Sequence, residues 1–320
     1  MSNSLEYYIS KFSRLRRDRK KGGAPHKPVL LLAVIDLFEK GLLKNGYIDL
    51  SPELIRSFKT IWSKVVSSPH DPNFALPFYH MKSEPFWELL PTPGNEGWVF
   101  SGNQIKSISR LTLAVRGASI DGDLSEYLSS KKPREILKSI IQSEYFNSNL
   151  KDFHVDYSFK DIQFHLFEES SESYKKSLLK IKESSKELFE EEVFLRGSIF
   201  KREIPKIYNF SCAISGIKIS SLTNVSMVDA CHIVPFAESY DDTIRNGIAL
   251  SPNLHRAFDR GLISIDENYK VLVSKNFTEN FKSPYNLSQF RGKLINLPKD
   301  EKLYPSLENL NKHRQRFGFG

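Results

Sequence analysis

The stretch from residue 228 to residue 261 constrains the fold more than any other part of the chain, because signals for strand, turn and helix follow each other closely there. Residues 228–233 predict a short strand that ends at Pro235, and a second strand is expected around residues 248–250. Ser251 and Pro252 are typical of the N-cap and first position of a helix. The sequence therefore predicts a two-stranded hairpin followed directly by a short helix.

Polar side chains of this hairpin and helix are of the types that bind metal ions. His255 and Asp259 are four residues apart, so both project from one face of the predicted helix towards the hairpin. Asp229 adds a carboxylate, and imidazole with carboxylate donors suits a hard divalent cation. His232 can take a proton from water near neutral pH. The pattern predicts metal-assisted phosphodiester hydrolysis, with Asp229, His255 and Asp259 as ligands and His232 as general base.

The spacing of three residues carries a family resemblance. Asn246 follows His232 by fourteen positions and precedes His255 by nine, within the sequences ACHIVP (230–235) and NGIALSPNLHRAFDRGLISID (246–266). Over roughly residues 208–273 the chain resembles the HNH endonuclease family. The resemblance implies a ββα-metal fold, with His232 as general base, Asn246 bracing the loop and His255 as a metal ligand. It also implies one divalent ion per active site, Mg²⁺ or Mn²⁺.

Two positions depart from the family pattern. Many HNH proteins have an acidic residue or a histidine directly before the base, where this chain has Cys231. This departure leaves the first metal ligand open, with Asp229 favoured and Asp259 next. Some relatives also carry paired zinc-binding cysteines, but Cys212 has Ser215 at the partner position, so no structural zinc is expected.

The N-terminal region is basic and then strongly apolar. A cluster of Lys and Arg over residues 11–21 predicts an arm that contacts phosphates, and the net charge of +8 suits a polyanionic partner. Pro28 predicts the start of a buried helix that ends before Gly41, and Ser51 predicts the cap of a second helix. Residues 69–80 contain too many prolines for a helix or a central strand, so a loop is expected there.

Three short motifs in this half resemble those of the sulfur-binding domains of restriction endonucleases that recognise phosphorothioated DNA. The resemblance covers about residues 5–153 and rests on GAPHKPVLLL (23–32), ALPFYH (75–80) and PFWEL (85–89). It implies an apolar cup for sulfur formed by Leu76, Pro77 and Phe78, although residue chemistry alone would favour plain packing for these three. The DNA-binding residues expected from the basic cluster and from the resemblance are Arg14, Arg16, Arg17, Arg19, His26, Lys27 and His80.

The whole chain is expected to be an α+β protein with three parts. Residues 1–165 would form a mainly helical DNA-recognition domain, residues 166–195 a charged helical linker, and residues 196–320 the nuclease domain. No apolar run approaches the ~20 residues of a membrane span, and no leader pattern opens the chain, so a cytoplasmic protein without a membrane partner is expected. Double-strand cutting with one active site per chain would favour a homodimer.

Three functional hypotheses remain open from the sequence. The first is a modification-dependent, type IV-like restriction endonuclease that binds phosphorothioated double-stranded DNA and cuts it through His232. The second is an HNH endonuclease whose front domain recognises methylated or unmodified DNA. The third, suggested by Cys231, is a DNA-binding regulator with a degenerate nuclease module.

Overall fold

The computed structural model describes residues 3–18, 23–100, 105–146, 166–219 and 226–319. By its internal contacts the chain divides into two compact units. Unit 1 is Met1–Ser158 with Ser185–Leu195, and unit 2 is Phe159–Ser184 with Arg196–Gly320. Helices and small antiparallel sheets occur in both units, which confirms the α+β class.

Unit 1 is mainly helical around one small sheet. Its sheet has the order β1 (Tyr47–Asp49), β3 (Val115–Ile120) and β2 (Trp87–Pro91), and both pairings are antiparallel. The helices are α1 (Leu5–Phe12), α2 (His26–Glu39), α3 (Pro52–Val65), α4 (Ala75–His80), α5 (Glu96–Phe100), α6 (Ile108–Ala114), α7 (Gly122–Ser129) and α8 (Lys131–Tyr145).

Helix α2 is the centre of the unit 1 core. Every residue from Val29 to Phe38 is buried, because the segment is apolar nearly all round and other elements cover it on all sides. The helix begins at His26 and ends at Glu39, and Gly41 follows with a φ of +68°. Helix α3 begins as expected, since the Ser51 hydroxyl accepts a hydrogen bond from the Leu54 amide at 3.3 Å. The buried helix and its capped neighbour are therefore confirmed.

The loop predicted for residues 69–80 is wrong over its second half, which forms α4. Pro77 is the third residue of that helix, where an amide would have no acceptor within the helix, so the missing N–H costs nothing. The Phe74 amide at the helix start instead donates to the Glu191 carboxylate at 2.9 Å. A proline in the first turn therefore does not exclude a short helix.

Residues 166–195, predicted as a charged helical linker, are mostly helical. They contribute α9 (Ser171–Ser184) and the first part of α10 (Lys186–Ile207). Residues 166–184 belong to unit 2, and residues 185–195 belong to unit 1. Buried Tyr174 and Leu178 show that α9 contributes to a core rather than only to a surface.

Unit 2 contains the predicted hairpin and helix. Strand β4 (Asp229–His232) pairs antiparallel with β5 (Gly247–Leu250), and α12 (Pro252–Asp259) follows. The Ser251 hydroxyl donates to the Asn253 side chain at 2.8 Å and does not cap a backbone amide, although its backbone is extended as an N-cap requires. The remaining elements of the unit are α11 (Phe236–Ser239), β6 (Ile263–Ile265), β7 (Val271–Val273) and α13 (Leu307–Phe317).

Helix α10 packs closely on the hairpin at Gly247, which pairs with His232. A Cβ atom on Gly247 would lie 2.2 Å from the Ile204 side chain and 2.8 Å from Phe200. Only glycine therefore permits this approach.

Among the described residues, no helix combines the length and apolar character that crossing a membrane requires.

Candidate functional site

The hairpin presents its side chains on two faces. Successive residues of a strand point to opposite sides, so Asp229 and Cys231 share one face of β4 and His232 lies on the other. The contacts agree with this alternation, because Asp229 and Cys231 approach α12 while the His232 ring packs against α10.

The three predicted metal ligands meet at α12. The Nδ1 atom of His255 lies 3.5 Å from Asp229 Oδ2, and its Nε2 atom lies 3.4 Å from Asp259 Oδ2. Cys231 joins them, with its Sγ atom 3.8 Å from Asp259 Oδ1. One donor atom from each of Cys231, His255 and Asp259 lies within 4.8 Å of the other two.

The donors of this cluster fit a divalent cation. The carboxylates are about half exposed, at 52% for Asp229 and 54% for Asp259, so an ion can enter from solvent. Burial, together with the negative charges of Asp259 and Asp229, holds the pKa of the Cys231 thiol well above its ordinary value. Cys231 is therefore a protonated thiol beside the oxygen and imidazole donors of the cluster.

His232 is held away from this ligand cluster by two partners. Its Nε2 atom lies 2.8 Å from Asp242 Oδ1, and its ring stacks on Phe200 with centroids 4.0 Å apart and planes 8° apart. Within the described part of the chain its ring contacts are with Phe200, Phe236 and Asp242, and none is with the ligand cluster. The Nδ1 atom is therefore the nitrogen that can act on a water molecule.

Asn246 is fully buried and ties the loop between the two strands together. Its amide nitrogen donates to the carbonyls of Val234 and Asp241, both at 2.9 Å. Its amide oxygen accepts from the Val234 backbone at 3.0 Å and from the Asn309 side chain at 3.1 Å. These four bonds fix the chain directly after His232.

The residues that surround the His232 ring were not predicted from the sequence. Asp242 lies in the loop four residues before Asn246, and the buried Asp-Asp pair at residues 241–242 is the signal that could have indicated it. Phe200 gave no local signal, because it is one aromatic residue in a long helix.

Unit 1 contains a cavity of about 630 Å³ where most of the predicted DNA-binding residues converge. Its wall combines charged, imidazole and apolar side chains from segments far apart in the sequence. The lining residues are Arg16, Arg17, Asp18, Ala24, His26, Lys27, His70, Leu76, Pro77, His80 and Ser83.

Two predicted residues, Phe78 and Arg14, lie elsewhere. Phe78 is fully buried against Phe74 and Trp87, with centroids 5.6 Å and 5.4 Å away, so its assignment to the sulfur cup is wrong. The reason is the helical form of α4, in which residues 76 and 80 share a face and residue 78 points to the opposite side. Arg14 lines a separate cavity of about 520 Å³, and Arg19 lies outside the described residues.

Three ionisable side chains of the 630 Å³ cavity, Lys27, His26 and His80, are either paired with an opposite charge or shifted towards the uncharged form. Lys27 is 6% exposed; its ammonium group forms an ion pair with Glu84 and donates to Ser83 Oγ at 2.7 Å. Burial lowers the pKa of His26 and of His80, and the Lys27 charge lowers that of His80 further. Both imidazoles are therefore uncharged at neutral pH.

A match to a known protein family lies in unit 2. Residues 212–266 match the family model HNH_2, described as HNH endonuclease, which spans the hairpin and α12. No curated protein sequence matches the chain. A solved structure titled "Modification dependent TagI restriction endonuclease" is similar at 19% identity, with 37% of each chain covered and a TM-score of 0.30. The family match over residues 212–266 assigns this part of unit 2 to an HNH endonuclease domain, a metal-dependent DNA-cutting module.

Proposed function

We propose that this chain, a metal-dependent DNA endonuclease by its HNH domain, is a modification-dependent restriction endonuclease that recognises phosphorothioated double-stranded DNA. The unit 1 cavity would bind the modified linkage, and His232 with the α12 cluster would hydrolyse a phosphodiester bond. The observation that supports this proposal most is the convergence of apolar, imidazole and arginine side chains in one cavity of a chain with an HNH domain.

Hydrolysis in unit 2 follows from the geometry of His232. Its Nδ1 atom takes a proton from water, the water oxygen bonds to phosphorus, and the bond from phosphorus to the leaving oxygen breaks. Asn246 keeps the loop after His232 in place through its four hydrogen bonds. A divalent cation, Mg²⁺ or Mn²⁺, held by Asp229, His255 and Asp259 would supply stabilisation of the negative charge on the phosphate.

Recognition in unit 1 follows from the chemistry of sulfur. A phosphorothioate replaces one non-bridging oxygen with a larger, more polarizable and poorly hydrated atom. Leu76 and Pro77 offer that atom an apolar wall, which favours it over the strongly hydrated oxygen of ordinary phosphate. Arg16 and Arg17 line the same cavity and can pair with the flanking phosphates.

The nuclease half of the proposal is tested by plasmid nicking with Mn²⁺ or Mg²⁺. Wild type is expected to cut, and both chelation of the metal and His232→Ala are expected to reduce the rate at least about 100-fold. Binding of DNA by His232→Ala should remain at the wild-type level. If wild type cuts no DNA with any divalent ion, the chain is a DNA-binding regulator with a degenerate nuclease module.

The recognition half is tested by binding of full-length His232→Ala to matched duplexes that differ only in one sulfur atom. Each phosphorothioate diastereomer is used separately, because a chiral cavity should prefer one. Leu76→Ser is expected to lower the affinity for the sulfur duplex about five- to tenfold and to leave the plain duplex unchanged. Leu113→Ser, at a leucine that is 69% exposed elsewhere in unit 1, is the matched control.

Equal affinity of His232→Ala for the sulfur and plain duplexes would instead support an HNH endonuclease that recognises methylated or unmodified DNA.

We also propose a cytoplasmic location, since the DNA substrate and two unpaired cysteines suit a reducing compartment. A homodimer would supply the two active sites that double-strand cutting needs.

A further inference from the structure

Asp242 is a buried acid that the mechanism above does not use. The residue is 1% exposed, and both of its carboxylate oxygens have a partner. Oδ1 lies 2.8 Å from His232 Nε2, and Oδ2 lies 3.3 Å from the Tyr174 hydroxyl. A carboxylate is costly to bury unless such partners satisfy it, so this arrangement is built for a purpose beyond packing.

The contact between Asp242 and His232 selects one form of the imidazole ring. An ionised carboxylate can only accept hydrogen bonds, so the nitrogen facing it must carry the proton. A neutral His232 is therefore protonated at Nε2 and unprotonated at Nδ1. The unprotonated Nδ1 is the atom that a general base needs, since it can accept a proton from water.

The plane of the ring is fixed by α10. Phe200 stacks on His232 almost in parallel, and Gly247 on the partner strand leaves the space that this approach needs. Between Phe200 on its face and Asp242 on its edge, the ring has both its tilt and its rotation defined.

Tyr174 and Arg196 form a second layer of buried side chains behind Asp242. Burial and the Asp242 charge raise the pKa of Tyr174, so its hydroxyl keeps its proton and donates to Oδ2. The Arg196 guanidinium lies 4.5 Å from the centre of the Tyr174 ring and is only 5% exposed, so a positive charge is buried beside Tyr174. Tyr174 lies on α9 and Arg196 on α10.

We propose that Asp242 is a positioning residue that holds His232 in the Nε2-protonated form with Nδ1 free, and that Tyr174 and Arg196 hold Asp242. This inference rests on the proposed role of His232 as general base. It assigns a purpose to α9: the segment predicted as a charged linker supplies part of the support for the catalytic centre.

The first experiment determines by NMR which nitrogen of the His232 ring carries the proton, and it does not depend on nuclease activity. The full chain is labelled with ¹⁵N-histidine without added metal, and the ring nitrogens of His232 are assigned by their loss in His232→Gln. At a pH where the ring is neutral, the proton is expected on Nε2 in wild type. A His232 ring with its proton on Nδ1 in wild type would overturn the proposal whether or not the protein cuts DNA.

The second experiment compares two neighbouring buried acids. Asp242→Asn is expected to lower kcat by on the order of 10²- to 10⁴-fold with KM and Mn²⁺ affinity little changed, because the amide no longer enforces the tautomer. Asp241→Asn is the matched control, since Asp241 is 2% exposed but bonds the Thr243 amide and not His232. Equal kcat losses in both variants would show a merely structural role and contradict the proposal.

Tyr174→Phe tests the second layer. Removal of one donor to Asp242 is expected to lower kcat about three- to tenfold, with the His232 proton still on Nε2. An unchanged kcat would remove Tyr174 from the proposed network.

Discussion

The α12 cluster of unit 2 and the 630 Å³ cavity of unit 1 are built in opposite ways. The predicted metal ligands come from residues 229–259, and their carboxylates are about half exposed. The cavity collects residues from positions 16 to 83; among them Lys27 is buried and paired with Glu84, and burial lowers the pKa of His26. The first arrangement suits a cation arriving from water. The second suits a poorly hydrated group, with arginines in the same wall that can pair with phosphates.

Asn246→Ala is expected to destabilise the hairpin of unit 2 strongly and to leave unit 1 unchanged. Asn246→Ala would leave buried partners of four hydrogen bonds unsatisfied, so we expect the opening free energy of the β4–β5 hairpin to fall by about 4 kcal/mol. Hydrogen exchange of the hairpin amides measures it. Tryptophan fluorescence follows unit 1, where all three tryptophans lie, and is the internal control. Asn276→Ala, at an exposed asparagine, should change neither.

The next effect separates metal binding from DNA recognition. His255→Ala removes the imidazole that lies between Asp229 and Asp259, so Mn²⁺ affinity measured by calorimetry is expected to fall at least about 100-fold. Affinity for the phosphorothioated duplex in the absence of metal should not change. A variant that keeps wild-type Mn²⁺ affinity would show that the ion binds elsewhere.

A pH effect is expected from His313, which is 3% exposed in unit 2. Burial lowers the pKa of His313 from 6.5 to about 4, and the nearby Arg316 and Arg314 charges act in the same direction. The unfolded chain therefore binds the proton more readily, so stability is complete above pH 6.5 and falls as the pH drops towards 4. At pH 5 the loss is about 2 kcal/mol.

Hydrogen exchange of unit 2 amides at pH 7 and pH 5 measures this loss. His313→Gln should lower stability at pH 7, because the Ser264 and Phe258 partners of the ring are disturbed, but should remove most of the difference between the two pH values. The same pH difference in wild type and variant would assign the effect to other groups.

The smallest effect tests how charge is used in the cavity. Arg16→Ala is expected to weaken binding of plain and phosphorothioated duplexes equally, by about 1 kcal/mol, and to reduce the salt slope by about one. Leu76→Ser should instead act on the sulfur duplex alone. An Arg16 variant that loses affinity only for the sulfur duplex would contradict this division between charge and apolar contact.

The sequence was informative where a site is local. The hairpin and α12 were predictable because Pro235, Pro252 and the spacing of His255 and Asp259 act within one short segment. The cavity was predictable only through a resemblance, since no local rule connects residues 16, 26 and 76. Phe78 was misassigned because the proline-rich segment concealed a helix, and helical geometry turns Phe78 into the core.

The surroundings of His232 could not be predicted, for a different physical reason. Its support comes from Tyr174, Arg196, Phe200 and Asp242. Tyr174 lies in the segment predicted as a linker, and Arg196 and Phe200 lie on a helix that begins in that segment. Composition averages over a helix, whereas a buried network needs only a few residues on one face.

Sulfur recognition and cutting through His232 are tested together by the rates at which wild type cuts two plasmids that differ only in phosphorothioate linkages, with Mn²⁺ present. We expect rapid cutting of the modified plasmid, little or none of the plain one, and no cutting of either by His232→Ala. Equal rates on both plasmids would contradict recognition of sulfur, and undiminished cutting by His232→Ala would contradict the catalytic centre.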